Sequence, residues 1–232
     1  MCGRYSLFAP PERLEDRFDA RFEQAFEPRY NAAPGQSLPV ITDAAPDTFQ
    51  FLRWGLVPSW ADDESTSFIN ARAETLSDKR SFREPFEQRR CLVPADGFYE
   101  WVDERGGKQP YRVSRPGDEP FAMAGLWERW QPPQKQTGLG EFGGDGPDRT
   151  AEPVETFTVV TTEPNDVVAD LHHRMAVILD AEAESTWLHG DTEAARAVLA
   201  PYDGALRTHR VSTAVNDPSN DSPSIVEPVG TE

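Results

Sequence analysis

The second residue of the chain offers chemistry that an internal residue of the same type cannot perform. Cells usually remove Met1 when the next residue is small, so the mature chain would begin with Cys2. Its α-amine titrates near about 8 and its thiol near about 8.5, so both are partly nucleophilic at neutral pH. Together they can trap an aldehyde, the amine as an imine and the thiol by closing a five-membered thiazolidine. The opposing interpretation is a small structural cysteine, because free cysteines are usually buried and inert.

Three other segments place reactive side chains within apolar or structured sequence. GFYEW encloses Glu100 between aromatic residues, which predicts a raised pKa and proton exchange near neutrality. The alternative for Glu100 is an ordinary salt bridge. FINARAE places Asn70 and Arg72 at the start of a predicted helix. LHHRMAVIL places His172 and His173 before an apolar strand, and alternation lets at most one of them point into a given cleft.

The remaining candidate features concern aromatic residues and metals. WGLVPSW contains Trp54 and Trp60, which either pack in the core or stack on exposed bases. No histidine or cysteine pair has the spacing of metal ligands, so we expect neither a metal nor a cofactor. The glycine-rich GLGEFGGDG does not follow a strand and open a helix, so it is not a phosphate-binding loop.

The charge of the chain is strongly acidic but unevenly distributed. The net charge is −17, and only three residues are lysines, Lys79, Lys108 and Lys135. A carboxylate-rich, lysine-poor surface stays hydrated in concentrated salt, so we interpret it as a halophile's adaptation. Residues 68–115 hold ten basic and eight acidic residues, a net +2, which leaves −19 on the rest. A nucleic-acid-binding face should therefore use this middle segment together with Arg4.

Length and hydropathy favour one cytoplasmic domain. The chain has 232 residues with 38% hydrophobic content, enough for a core. It lacks a signal peptide and any apolar run near the roughly 18 to 20 residues of a membrane span. We expect residues 1–215 to form the domain, with a flexible glycine- and proline-rich insertion at 131–153. The tail at 216–232 is expected to be disordered or laid on the surface.

The elements that must position the reactive residues are mostly strands. Apolar spacing predicts helices at 10–26, 68–76, 81–89, 180–190 and 191–202. Strands are predicted at 37–42, 47–57, 155–164, 174–179 and 206–213, in PYRVSR and FAMAGLWERW, and as one bent strand at 91–102. Because strands and helices do not alternate, we predict an α+β fold with a mostly antiparallel sheet or barrel core and peripheral helices.

The order of the motifs resembles one family. MCGRY, RYNAAPGQ, WGLVPSW, FINARAET, RRCLVPADGFYEW, FAMAGLWERW, TFTVVTTEPN and HHRMAVIL are similar to the SOS response-associated peptidase family, whose members are also described as abasic-site processing proteins. The resemblance implies that Cys2 is the nucleophile and that Asn70, Glu100 and His172 are catalytic. The family's HxRMP sequence differs here, because Ala176 replaces the proline.

The resemblance also implies a partner and a reaction. Family members bind single-stranded DNA, with Arg4 and Arg72 at positions that contact phosphates and Pro34 and Trp54 at positions that pack on bases. We expect a monomer that traps the aldehyde of an abasic site as a thiazolidine crosslink on Cys2. Two alternatives remain open: an N-terminal-nucleophile amidohydrolase or peptidase, and a single-strand-binding module without catalysis. The peptidase name would fit removal of Met1 by the protein itself, although ordinary aminopeptidase action explains it equally well.

Overall fold

Over the residues that the structure describes, the fold consists of two β-sheets and five short α-helices. A computed structural model of the chain describes residues 2–104, 106–133 and 152–230. The strands are β1 (Tyr5–Leu7), β2 (Arg21–Phe22), β3 (Arg29–Ala32), β4 (Ser37–Thr42), β5 (Ala45–Trp54), β6 (Asn70–Arg72), β7 (Arg90–Ala95), β8 (Gly97–Glu104), β9 (Gly107–Ser114), β10 (Phe121–Trp130), β11 (Val154–Thr162), β12 (Met175–Ala176), β13 (Ile178–Leu179) and β14 (Arg207–Arg210). The helices are α1 (Pro11–Phe18), α2 (Arg83–Gln88), α3 (Asp166–Ala169), α4 (Ala181–His189) and α5 (Thr192–Ala197).

The larger sheet closes into a barrel. Strand β4 pairs antiparallel with β5 and β7, β7 with β10, and β10 with β11. The ring is completed by a parallel pairing of β11 with β5. Closure removes the free edges that an open sheet would expose. The short strand β6 pairs with β11 in parallel, through Asn70 opposite Val159 and Arg72 opposite Thr161. The predicted α+β architecture, with an antiparallel-rich barrel and few helices, is confirmed.

The second sheet has the order β14–β9–β8–β1–β3 and carries the N-terminal strand. It meets the barrel at Asp96, which lies between β7 and β8. The Asp96 carboxylate accepts hydrogen bonds from the backbone N–H groups of Phe8 and Ala9 and from the Ser6 hydroxyl (2.5, 3.1 and 2.6 Å). Its carboxylate also lies 3.3 Å from the buried Arg112 guanidinium. These bonds fix β1 next to β8, and so fix the position of Cys2.

The single bent strand predicted at 91–102 is wrong. The chain does bend there, but Asp96 separates two strands that belong to different sheets. Gly97 follows the bend, and a Cβ on it would lie 2.7 Å from the Arg112 guanidinium. The close approach of a buried charged side chain therefore requires glycine at this position.

Two predicted helices also differ from the structure. The helix expected at 10–26 ends at Phe18, because Asp19 adopts a left-handed conformation with φ 49°. Phe22 then joins β2 beside β5 instead of continuing the helical stripe. The helix expected at 68–76 is wrong for its first part, since Asn70–Arg72 forms β6 and only Ala73–Thr75 forms a 3₁₀ turn. Pairing with β11, distant in sequence, overrides the local helical preference there.

Residues after β14 run over the outer face of the second sheet. The buried Asn31 side chain donates to the carbonyls of Val215, Asp217 and Asn220 at 2.8–3.2 Å. Ile225 is only 2% exposed and belongs to a small apolar cluster with Tyr99. Residues 134–151, the greater part of the predicted insertion, lie outside the described residues. Among the helices of the described segments, none is long and apolar enough to cross a bilayer.

Candidate functional site

Cys2 lies fully buried where β1 enters the fold. Asn70 on β6 donates from Nδ2 to the Cys2 carbonyl at 2.9 Å, which joins the N-terminal segment to the barrel. Burial, and to a smaller extent the nearby Glu100 carboxylate, raise the pKa of the Cys2 thiol to about 12. The thiol is therefore neutral at physiological pH and needs a base when it reacts.

Glu100 has the properties of a proton donor and acceptor at neutral pH. It is 2% exposed, and burial raises its pKa from the ordinary 4.5 to about 7. The raised pKa predicted from GFYEW is thus present, but its cause differs. Side chains alternate along β8, so Glu100 shares the core-facing side with Phe98, while Tyr99 and Trp101 belong to the cluster on the other face. Burial in the core desolvates Glu100; its two sequence neighbours do not.

His172 follows α3 and is held by the backbone two residues further on. The Arg174 N–H donates to His172 Nδ1 at 3.0 Å. Nδ1 also lies 3.1 Å from the Arg174 carbonyl, to which it donates in the other tautomer. Burial lowers the pKa of His172, so the ring is neutral at pH 7. The adjacent His173 is exposed and stacks on His172 with ring centroids 4.2 Å apart.

The second sheet and the loop after α3 form a cleft of about 500 Å³. The residues that line it are Arg4, Glu100, Trp101, Lys108, His172 and Asn216. Cys2 and Asn70 connect to this cleft through the hydrogen bond between them and through the electrostatic effect of Glu100 on the Cys2 thiol. The four residues expected to be catalytic therefore lie in one neighbourhood of the fold, although β1, β6, β8 and a loop supply them.

The two arginines expected to contact phosphates differ in their surroundings. Arg4 is half-buried, and its Nη1 donates to Asn31 Oδ1 at 2.7 Å and to the Val215 carbonyl at 2.8 Å. Its Nη2 reaches the Asn216 carbonyl at 3.5 Å. Arg72 is exposed at the end of β6, two residues after Asn70 and therefore on the same side of that strand.

Pro34 and Trp54 lie apart from the cleft, in a separate groove of about 300 Å³. Pro34 is exposed, but the Trp54 indole is only 1% exposed. Its Nε1 donates to the Ile69 carbonyl at 2.9 Å, and its ring packs against Tyr5 with centroids 5.2 Å apart. Trp54 therefore contributes mainly to the core in this structure and presents little surface on which a base could stack.

Three cleft residues were not singled out from the sequence. Trp101 was noted only as a neighbour of Glu100, and its Nε1 donates to Asn216 Oδ1 at 2.7 Å. Lys108 lies on β9, opposite Asp103 of β8. The net +2 of residues 68–115 indicated the segment that contains Lys108, but the pairing of β8 with β9 is what brings it to the cleft. Among the described residues, no group of three or more histidine, cysteine, aspartate or glutamate side chains could hold a metal ion.

The structure combines a barrel, an attached sheet that carries the N-terminus and a cluster of reactive groups around Cys2. These features define a class of protein whose candidate site lies at its second residue. The sequence matches the SOS response associated peptidase (SRAP) family over residues 1–218. The chain belongs to that family.

Relatives and solved structures agree over nearly the whole chain. The abasic site processing protein YoqW of Bacillus subtilis is 40% identical over 98% of this chain and 99% of its own length. The abasic site processing protein HMCES of Gallus gallus is 33% identical over 99% of this chain and 78% of its own length. A crystal structure of a protein from Bacteroides thetaiotaomicron superposes with a TM-score of 0.83 at 27% identity, over 98% of this chain and all of that one.

Proposed function

We propose that this protein binds single-stranded DNA and captures abasic sites as a covalent thiazolidine on Cys2. The observation that carries the proposal is the joint placement of Cys2, Asn70 and Glu100. Asn70 holds the Cys2 carbonyl, and the buried Glu100, with a pKa near 7, lies close enough to shift the thiol. The names of the relatives, which are abasic site processing proteins, support the same substrate.

The first step needs a free amine on Cys2. Removal of Met1 converts the amide nitrogen of Cys2 into a primary amine. That amine adds to C1′ of the ring-opened sugar, which is an aldehyde, and forms a carbinolamine. Loss of its hydroxyl as water, with a proton from the carboxylic acid of Glu100, gives the protonated imine and leaves Glu100 as a carboxylate. A carboxyl group with a pKa near 7 is protonated often enough to donate and ionised often enough to accept.

The second step closes the ring. The Cys2 sulfur adds to the carbon of the protonated imine, the thiol proton passes to the Glu100 carboxylate, and the nitrogen becomes the neutral amine of the thiazolidine. A thiol with a pKa near 12 is not ionised beforehand, so proton removal must accompany attack. The overall change is amine plus thiol plus aldehyde to thiazolidine and one water. The reverse sequence, with Glu100 as the acid, would release the DNA.

Positioning falls to Asn70 and His172. Asn70 holds the Cys2 carbonyl and so keeps the amine and thiol in register with the sugar. The neutral His172 ring carries one N–H, which can donate a hydrogen bond to the sugar ring oxygen as the ring opens. Arg4 and Arg72 would contact phosphates on either side of the captured sugar, and the exposed Pro34, in the groove that the buried Trp54 also lines, would pack on a base of the bound strand.

Two further expectations accompany this proposal. The acidic surface, −17 overall, suits a protein that acts in concentrated salt, as in a halophile. Lyase- or hydrolase-type turnover would follow if the crosslink is reversed or if Met1 is removed by the protein itself.

The deciding experiment mixes the purified protein with an oligonucleotide that contains one abasic site. Denaturing gel electrophoresis should show a stable adduct whose formation requires Cys2. Cys2→Ala should form none, and an extra residue placed before Cys2 should also form none, because the α-nitrogen stays an amide. Cys91→Ser is the matched control, because Cys91 is a buried thiol of the barrel and should leave the yield unchanged. An adduct from the extended variant would exclude the thiazolidine.

The amidohydrolase alternative is distinguished by the same samples. Asn70 Nδ2 donates one of its two N–H groups to the Cys2 carbonyl, which leaves the other for an external oxyanion, so turnover of an amide substrate without DNA would favour this alternative. Mass spectrometry of protein made with Met1 retained tests self-processing directly. Loss of Met1 over time from the parent, but not from Glu100→Gln, would assign the peptidase activity to this site.

A further inference from the structure

One face of the second sheet places two cations around an aromatic ring beside the cleft. Arg4 lies just before β1, Trp101 on β8 and Lys108 on β9, and these three strands are neighbours. Trp101 is opposite Pro110 and Lys108 is opposite Asp103, so Trp101 and Lys108 share a face as diagonal neighbours. Diagonal pairs lie about 7–8 Å apart, within reach of long side chains.

Arg4 and Trp101 are already engaged with the chain beyond β14. Both bond Asn216, Arg4 through the backbone carbonyl and Trp101 through the side-chain amide oxygen. Arg4 is further held by Asn31 and Val215. These bonds fix the guanidinium and the indole in place before any DNA is present.

Lys108 is different, because its ammonium group is exposed and lacks any ion pair or hydrogen bond within the described segments. Asp103, its register partner, lies on the same face but does not approach within salt-bridge distance. Two of the chain's three lysines lie in the described segments, Lys79 and Lys108, and of these two Lys108 lines the cleft. A lysine in this state is a mobile point charge on a flexible stem, suited to a phosphate whose position varies.

We propose that Lys108 binds a phosphate of the DNA strand held in the cleft, on the side of Trp101 away from Arg4. This inference rests on the proposed function, since it assigns a further binding residue to the same site. Strands are spaced about 4.8 Å apart, so β1 and β9 are separated by about 10 Å across β8. A cation on each side of an aromatic ring is the arrangement by which proteins track a single strand, with phosphates on the cations and a base on the ring.

The test is the salt dependence of reversible binding to an intact single-stranded oligonucleotide, followed by fluorescence anisotropy. Each neutralised phosphate contributes a slope of about −0.7 in log affinity against log salt. With Arg4, Arg72 and Lys108 engaged, the parent slope is about −2.1, and Lys108→Ala should reduce it to about −1.4. Lys108→Arg should restore it. Lys79→Ala is the matched control, because Lys79 is also exposed but lies outside the cleft.

An unchanged slope in Lys108→Ala would overturn the inference, as would an equal fall in Lys79→Ala. Thermal melts of both variants show whether folding is intact. Crosslinking separates this inference from the proposed function. If the parent forms the adduct but the Lys108→Ala slope equals the parent slope, only the role of Lys108 is refuted. If the slope falls as expected but the parent forms no adduct, the covalent chemistry is refuted and the phosphate contact stands.

Discussion

Replacing Glu100 with glutamine should stabilise the fold while it slows the chemistry. The carboxyl is 2% exposed, and burial raises its pKa from 4.5 to about 7. A raised carboxyl pKa means that the folded state binds the proton more tightly than the unfolded state. The stabilisation from protonated Glu100 is therefore complete below about pH 4.5 and is lost as pH rises through about 7. Each pH unit between the two values corresponds to about 1.36 kcal/mol, so the whole loss is about 3 kcal/mol.

Glu100→Gln keeps the shape of the side chain but has no proton to lose. The difference in unfolding free energy, variant minus parent, should therefore grow by about 3 kcal/mol between pH 4.5 and pH 8, with most of the change before pH 7. Guanidinium titrations at four or five pH values measure this difference. On the same samples, adduct formation or release should slow by about 10²-fold, the usual scale of general acid–base catalysis.

Glu104 on the same strand is the control of opposite sign. Hydrogen bonds from Arg210 and Tyr111 lower the pKa of Glu104, so its contribution is present at neutral pH and is lost on acidification. Glu104→Gln should therefore lose stability at neutral pH relative to the parent and leave adduct formation intact. A free-energy difference for Glu100→Gln that stays flat from pH 4.5 to 8 would refute a buried, high-pKa carboxyl. If the free-energy difference stays flat with pH while Glu100→Gln still slows adduct formation, the proton exchange belongs to another group.

Three further predictions concern packing and salt. Gly97→Ala places a Cβ 2.7 Å from the buried Arg112 guanidinium, and overpacking of this kind should cost about 1–3 kcal/mol in guanidinium unfolding; no loss would show that Arg112 moves freely. Asn31→Ala removes the amide that bonds three carbonyls beyond β14, so limited proteolysis should cut residues 216–230 faster than in the parent. Final crosslink yield should change little between about 0.3 and 3 M salt while reversible binding falls several-fold; a parallel collapse of yield would contradict covalent capture.

Local patterns predicted the elements whose apolar residues are contiguous and whose partners are close in sequence. Strand β4 matches residues 37–42, and β11 matches the prediction at 155–164 within two residues. Helix α2 was found within SFREPFEQR despite its proline, since Pro85 lies in the first turn, where it is tolerated. In these segments the local preference and the tertiary environment agree.

The failures share one cause, which is pairing between distant segments. The spacing of Phe18 and Phe22 fits a helix, but the left-handed Asp19 ends it and Phe22 becomes part of a strand beside β5. Asn70 was expected on a helix and lies on β6, because β11, almost ninety residues later, offers it a parallel partner. A single sequence carries no direct signal of either pairing.

The site was predictable as a set of residue types but not as an arrangement. The position of Cys2 and the apolar surroundings of Glu100 pointed to their chemistry. The hydrogen bond of Asn70 to the Cys2 carbonyl joins residues 68 apart and depends on the pairing of β6 with β11. Likewise Lys108 enters the cleft only because β9 pairs with β8 in the observed register.

The neutrality of the reactive groups explains why a buried site suits this chemistry. Burial keeps the Cys2 thiol protonated, holds Glu100 near its midpoint and keeps His172 uncharged at pH 7. Condensation of an amine, a thiol and an aldehyde into a thiazolidine and water changes no net charge. A low-dielectric environment, which penalises isolated ions, therefore opposes neither the reactants nor the product. Burial of Cys2 and Glu100 limits the access of water, which would otherwise hydrolyse the imine, and the closing step should be insensitive to the salt that weakens phosphate contacts.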